Sequence, residues 1–371
     1  MDTNENYETE SQPAPQATAP SAPRAASGGS AWSSLLLLGL IFSVLFNLLL
    51  LFIFLITLSL APTGESLVEE VPYNELNPNY GGEKVAILRL EEVIMEGEDS
   101  YLAKQIEQIK EDEDIKAMVL RVNSPGGMVS GSDYLYHKLI ELQKEKEIPM
   151  VVSMGTIAAS GGYYIAMASG EQKTLGNEGI IFAEPTTWTG SIGVIIPHYN
   201  LAGFAEEWGI EEDSIKSHPL KGMGGVLTKL TPKEEEVLQS LVNDSFKRFK
   251  EIVLFGRPML KEEDLDEVAT GQVFTADQAL EHQLVDKIGY LDDAIDHALS
   301  LAKIDREDAY LVEYEAPVDF FSLFSAQAKV EKNLHIADVL SELNNPKAYY
   351  LYAWMPGLPS PKTTLHSLFQ K

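Results

Sequence analysis

Residues 35–60 read LLLLGLIFSVLFNLLLLFIFLITLSL, an apolar run of 26 residues without a charge. At about 1.5 Å of rise per residue, a helix of this length spans a hydrocarbon layer ~30 Å thick with some tilt. A secretory leader has an apolar core of roughly 7–15 residues behind a basic start. This run is longer and follows an acidic start, so it reads as an uncleaved anchor, with a cut near Ala61 as the alternative. Asn47 and Ser43 are single polar groups of the kind a spanning helix tolerates, and Asn47 could also hydrogen-bond between helices. Arg24 is the basic residue nearest the run, whereas Glu65, Glu69, Glu70 and Glu75 follow it. The Lys/Arg bias therefore favours an inside N-terminus and an extracytoplasmic main domain.

The rest of the chain divides around this anchor. Residues 1–34 are rich in Pro, Ala and Ser and lack an apolar period, so they are expected to be disordered. Residues 61–82 read as a linker, 83–304 as the main domain and 305–371 as a C-terminal extension. The extension carries the apolar clusters Phe320, Phe321, Phe324 and Tyr349, Tyr350, Tyr352, Trp354, and reads as a poorly ordered segment or docking arm.

Within 83–304, short runs such as VAILRL (85–90), AMVLRVN (117–123), PMVVSMG (149–155) and WTGSIGVII (188–196) alternate with helical spacing at 99–111, 131–145 and 161–169. That alternation predicts an α/β domain with a mostly parallel sheet. Thr231, Pro232 and Glu234 form a capping box ahead of a long amphipathic helix, and shorter helices are expected at 275–283 and 291–303.

Composition narrows the chemistry. The formal charge of −28 argues against a nucleic-acid partner, because such a surface repels phosphate backbones. There is no cysteine, which excludes disulfides, thiolate catalysis, zinc–cysteine sites and iron–sulfur clusters. The seven histidines show no H-x-x-x-H spacing, so no metal site is expected. In open α/β sheets ligands gather at the carboxyl ends of strands. Three small-residue loops fall there: SPGG (124–127), AASGG (158–162) and TGSIG (189–193). Ser160 would open the helix that follows its strand, where free N–H groups favour developing negative charge. An isolated Ser-Gly-Gly after a strand is more often a plain helix cap. A serine nucleophile needs a base, and a lysine serves only while neutral. KSHPLKGMGG (216–225) offers Lys216 and Lys221, and composition alone does not separate either from an ordinary surface lysine.

The motifs do more in combination. V-N-S-P-G-G (122–127), M-x-x-x-A-A-S-G-G-Y-Y-I-A (154–166), T-G-S-I-G-V-I (189–195), I-K-S-H-P-L-K-G-M-G (215–224), G-R (256–257), G-x-V-F-T-A-x-Q-A-L (271–280) and L-V-D-x-I-G-x-L-D-D-A-I (284–295) occur in one collinear series. From about Lys84 to Ala302 this series resembles the signal peptide peptidase (protease IV) family of membrane-anchored Ser–Lys serine peptidases. The resemblance implies a Clp-protease/crotonase-like fold, with Ser160 as nucleophile and Lys221, rather than Lys216, as base. Ser191 would orient the lysine, and backbone N–H groups of Gly126, Gly127 and Gly161 would hold the oxyanion. It implies no metal and no cofactor. It also implies signal peptides or other apolar membrane-associated peptides as substrates, and a ring-forming homo-oligomer in which Ser and Lys meet across subunits. Ser160 and Lys221 are therefore expected not to hydrogen-bond within one chain.

Two departures from the family pattern stand out. His218, Pro219 and Gly222 replace the usual Gly, variable and Asp positions around the lysine, and extra sequence between Gly170 and Phe182 reads as a surface loop. The altered lysine loop keeps open a catalytically silent membrane scaffold. A crotonase-type acyl-CoA enzyme is a more distant alternative, disfavoured by the anchor and the serine–lysine pair.

Overall fold

The near-continuous apolar runs become the centre of one sheet because they are covered on both faces. The computed structural model describes residues 30–59, 68–73, 79–95, 97–177, 179–315 and 348–351. Strands β2 (Glu83–Leu90), β3 (Ile115–Ser124) and β5 (Met150–Ala159) lie parallel and adjacent. Alternate residues separate into two cores, as the two-residue period of a strand requires. Ala86, Leu88, Met118, Leu120 and Val152 pack with residues of helices α2 (Tyr101–Glu111) and α3 (Val129–Lys146). Val85, Ile87, Ala117, Val119 and Val151 pack on the other face with Ala294, Ile295, Ala298 and Leu299 of a late helix, Leu291–Ala302. The protein is thus a mostly parallel α/β fold, as expected.

Short strands extend the sheet beyond this centre. β6 (Ile181–Ala183) follows β5, and β9 (Lys287–Ile288) follows β6, both in parallel. The end of β5 also pairs with β7 (Trp188–Gly190), which in turn pairs antiparallel with β8 (Val273–Thr275). On the opposite side the sheet takes up β10 (Ala309–Glu315), parallel to β2, and then β1 (Glu69–Pro72), antiparallel to β10. These two strands come from segments read in the sequence as extension and linker. The aromatic clusters at Phe320–Phe324 and Trp354, and the N-terminal tail through residue 29, lie outside the described residues.

The extra sequence after Gly170 is only partly the surface loop expected. Residues Met167–Lys173 form a 3-10 turn in which Glu171 and Gln172 are buried. Gln172 donates to Oε1 of Gln143 at 2.9 Å, so the segment is tied into the core before the chain turns outward near Lys173. A buried amide must find partners: the Gln143 amide donates to the Leu139 and Ala168 carbonyls, each at 3.0 Å, and the Gln172 oxygen accepts from Asn177 at 3.2 Å.

Helix α1 (Ser30–Ser59) forms a unit by itself. Its stretch Leu35–Phe54 is long and apolar enough to cross a membrane. The Asn47 amide donates to the Ser43 carbonyl at 2.7 Å, which satisfies it inside its own helix.

Helix α6 (Pro232–Gly256) starts at the expected capping box: Thr231 N–H donates to Glu234 at 2.7 Å, and Glu234 N–H donates to Thr231 Oγ1 at 3.3 Å. It delivers Arg257, 1% exposed, to a bidentate pair with Asp286, with both bonds at 2.7 Å. The guanidinium also donates to the Gln283 carbonyl at 2.8 Å, and Asp286 accepts Ile181 N–H at 2.7 Å. Breaking such a pair strands a buried charge, at about 3–5 kcal/mol. Asp286→Ala should therefore lower the melting temperature by roughly 10 °C in calorimetry, with helix content kept below the transition.

Candidate active site

Ser160 occupies the single position between the end of β5 and helix α4 (Gly161–Ala166), and the tight reversal forces its backbone to φ 53°, ψ −114°. A side chain in such a sparsely populated region stores on the order of 1–3 kcal/mol and persists only where surroundings over-determine it. Here Ser160 N–H donates to the Gly190 carbonyl at 2.8 Å, and its own carbonyl accepts Tyr164 N–H at 2.8 Å. The residue is 1% exposed, and its hydroxyl oxygen is buried without a hydrogen-bond partner. A strained backbone and an orphaned buried hydroxyl both cost stability at this position.

The glycine loops are brought against this turn backbone to backbone. Gly126 has φ 97°, and a Cβ there would stand 2.6 Å from Gly161 N. A Cβ on Gly127 would stand 1.8 Å from the Ile94 carbonyl oxygen, and one on Gly161 3.1 Å from Gly126 Cα. Larger residues do not fit without moving the main chain. Ile94 holds the loop from outside, donating to the Gly126 carbonyl at 2.9 Å and accepting Met128 N–H at 2.6 Å. Inside the loop, Gly126 N–H donates to Ser124 Oγ at 3.2 Å. Gly161 opens α4, so its N–H has no acceptor within the helix.

Ser191 follows Gly190 and also has a left-handed backbone, φ 52°. Its hydroxyl donates to the Gly271 carbonyl at 3.2 Å, and its N–H to the Gln272 carbonyl at 2.7 Å. These two left-handed residues in succession end β7 earlier than the predicted strand to residue 196. A cavity of 570 Å³ opens beside Ser191, bounded by Ile195, Phe246, Gly271 and Leu351.

Lys221 is not hydrogen-bonded to Ser160. It lies exposed on a 3-10 turn, Pro219–Gly222. Because Ser160 Oγ has no partner, the two side chains are not hydrogen-bonded within the chain. The replaced residues shape this turn: His218 Nδ1 accepts Leu220 N–H at 3.3 Å, and Pro219 supplies a fixed φ at the first position. Lys216 pairs with Glu212 at 2.9 Å. Among the described residues, no group of three or more His, Asp or Glu side chains could hold a metal ion.

Sequence reasoning missed one component. Strand β11 (Tyr349–Leu351) pairs antiparallel with β4 (Gly126–Met128), the strand formed by the glycine loop itself. Tyr350 is fully buried, with ring centroids 5.0 Å from Tyr164 and 4.5 Å from Phe249. Its hydroxyl donates to the Ser245 carbonyl at 2.8 Å, while Tyr164 donates to Asp133, which also pairs with Arg248 at 3.3 Å. Burial pushes both phenols above their ordinary range, and the Asp133 hydrogen bond adds to the shift at Tyr164. The apolar run around 349–354 was the available signal, but it did not reveal its partner.

Comparison with known proteins places these residues in context. The model for peptidase family S49 matches residues 142–305, a stretch that contains Ser160, Ser191 and Lys221 but not the loop at 124–127. "Putative protease slr0021" of Synechocystis is 37% identical over 234 residues, covering 63% of this chain and 80% of the relative. "Putative signal peptide peptidase SppA" of Enterococcus faecium is 36% identical over 211 residues, 57% of this chain and 58% of the relative. "Serine protease SPPA, chloroplastic" of Arabidopsis thaliana is 32% identical over 218 residues, 58% of this chain and 30% of the relative.

The strain at residue 160 has a direct test. Ser160→Gly and Ser160→Ala both remove the hydroxyl, but only glycine relaxes the backbone. Ser160→Gly should be the more stable by about 1 kcal/mol, a rise of roughly 2–4 °C in melting temperature.

Proposed function

This chain belongs to peptidase family S49, and we propose that it is a membrane-anchored serine endopeptidase working through Ser160 and Lys221. The observation that carries this reading is the buried, unpartnered Ser160 hydroxyl on a strained turn, pressed against glycine backbone. Ser160 Oγ attacks the peptide carbonyl carbon, and the Lys221 amine takes the hydroxyl proton. The same amine then protonates the leaving nitrogen, and water hydrolyses the resulting ester. N–H groups of Gly126, Gly127 and Gly161 would hold the oxyanion, that of Gly126 on leaving the Ser124 hydroxyl it now donates to. Ser191 orients the lysine.

The base comes from a second copy of the chain. Lys221 is exposed in the single chain, and Trp208, Ile210 and Ile215 just before it in sequence present large apolar surfaces to solvent. Burying that surface in a ring of copies would remove apolar area from water and bring one copy's lysine to another's serine. Helix α1 anchors the chain, with the N-terminus inside and the catalytic domain extracytoplasmic. The substrates are signal peptides and other apolar peptides released at the membrane. The acidic surface leaves nucleic acid outside the reading.

A fluorophosphonate probe tests the chemistry in the full-length oligomer. A covalent adduct at Ser160 is expected. Ser160→Ala should abolish it and Lys221→Ala should reduce it at least 100-fold. Intact oligomer that never forms the adduct would favour the silent scaffold.

A further inference from the structure

The ladder that carries Ser160 to the glycine loop slips just before it arrives. Val122 of β3 pairs with Met154 of β5, but Ser124 pairs with Ala158, so β5 uses two more residues than β3 over the same stretch. The surplus lies at Gly155–Ile157, where Gly155 is buried and Thr156 is exposed to solvent. A flush ladder would carry Ser160 two residues, roughly 6–7 Å, beyond its present level. With the bulge, the turn stops beside Gly126, where a Cβ would stand 3.1 Å from the Ala159 carbonyl oxygen and 2.6 Å from Gly161 N. Bulges bend a strand and so re-aim the side chains that follow them.

A bulge also leaves main-chain groups without ladder partners, and buried ones need substitutes. Two side chains supply them. Asn123, at the slip itself, accepts Ile157 N–H on its Oδ1 at 3.2 Å. Thr187, fully buried, donates its hydroxyl to the Gly155 carbonyl at 2.6 Å. Gly155 makes room for the first of these, since a Cβ there would stand 3.2 Å from Asn123 Oδ1. The segment that brings Thr187 is stitched to β5 along its length. Glu184 N–H donates to the Met154 carbonyl at 3.3 Å, Thr189 Oγ1 donates to the Ala158 carbonyl at 2.7 Å, and the Gly190 carbonyl receives Ser160 N–H. Arg121 fixes the start of that segment by bonding both the Glu184 carboxylate and the Ser153 hydroxyl. The side-chain bonds of Asn123 and Thr187 go to β5 main chain before the turn, not to Ser160.

We propose that Asn123 and Thr187 are positioning residues for Ser160: they brace a two-residue bulge in β5 and so set where its hydroxyl meets the glycine loop. Removing either brace leaves a main-chain group of the bulge unsatisfied, and the strand end shifts to recover a partner. A reacting group misplaced by ~1 Å loses on the order of 100-fold in rate. The consequence for rate rests on the reading of Ser160 as nucleophile, whereas the bracing does not.

The test labels the full-length oligomer in detergent with a fluorophosphonate over a range of probe concentrations, well below the melting transition. The maximal rate and the half-saturating concentration are then separate readouts. Thr187→Val and Asn123→Leu each remove one brace at nearly constant size. Each should lower the maximal rate about ten-fold or more and leave half-saturation within about two-fold, a split that mere loss of stability does not produce. Thr187→Ser and Asn123→Asp keep the bonding oxygen and should bring the rate to within about three-fold of the parent chain. Gly155→Ala presses on Asn123 with both braces kept, should slow labelling likewise, and stands in where a replacement fails to fold. Unchanged maximal rates in the disrupting variants, or conservative variants as slow as they are, would overturn the proposal. Amide hydrogen exchange reads the bulge without chemistry: residues 155–160 should exchange about ten-fold faster in the disrupting variants, with β2 protected as before. Equal exchange there overturns the bracing. A parent chain that never labels, alongside the exchange difference, rejects the peptidase reading and leaves the braces standing.

Discussion

The site depends on main chain touching main chain. A Cβ on Gly126 would stand 2.6 Å from Gly161 N and one on Gly127 would meet the Ile94 main chain, and that close approach is what allows a loop after β3 to lie against the turn after β5. Everything chemical follows from it. The turn holds a conformation serine dislikes, and its hydroxyl is shut away from water. The expense of the strain is met elsewhere, in the layered aliphatic packing on both faces of β2, β3 and β5.

A second layer of support comes from parts that never approach the serine. The Arg257–Asp286 pair joins the end of α6 to the chain entering β9, and Asp286 also holds the start of β6. Ser191 is fixed by carbonyls of residues 271 and 272, just before β8. The late sequence blocks thus serve as clamps on the loops and strand ends of the candidate site.

Much of this was legible in the sequence, and the misses share a cause. The central strands and the long capped helix follow from local periodicity and cap chemistry, which neighbours in sequence encode directly. The backbone angle of Ser160 is invisible in the letters A-A-S-G-G, because it is set by Gly190 and by the glycine loop some 35 residues upstream. The burial of Glu171 and Gln172 went unread for a similar reason: polar residues look like surface until a partner such as Gln143 is in place. β10 alternates acceptably as Ala-Tyr-Leu-Val-Glu-Tyr-Glu, yet it becomes a strand only because β2 offers an open edge. Tyr350 is the extreme case, since its partners lie at residues 127, 164, 245 and 249 and nothing local names them.

The slot between β4 and Ile195 satisfies main-chain groups on both flanks of whatever lies in it. A helix, whose amides are already spent internally, has nothing to give such walls, and a compact domain cannot thread a segment between them. On the proposed peptidase reading, the opening would sort proteins by their folded condition before any side chain is inspected: only chain that has already come apart over several residues, or never assembled, would gain entry.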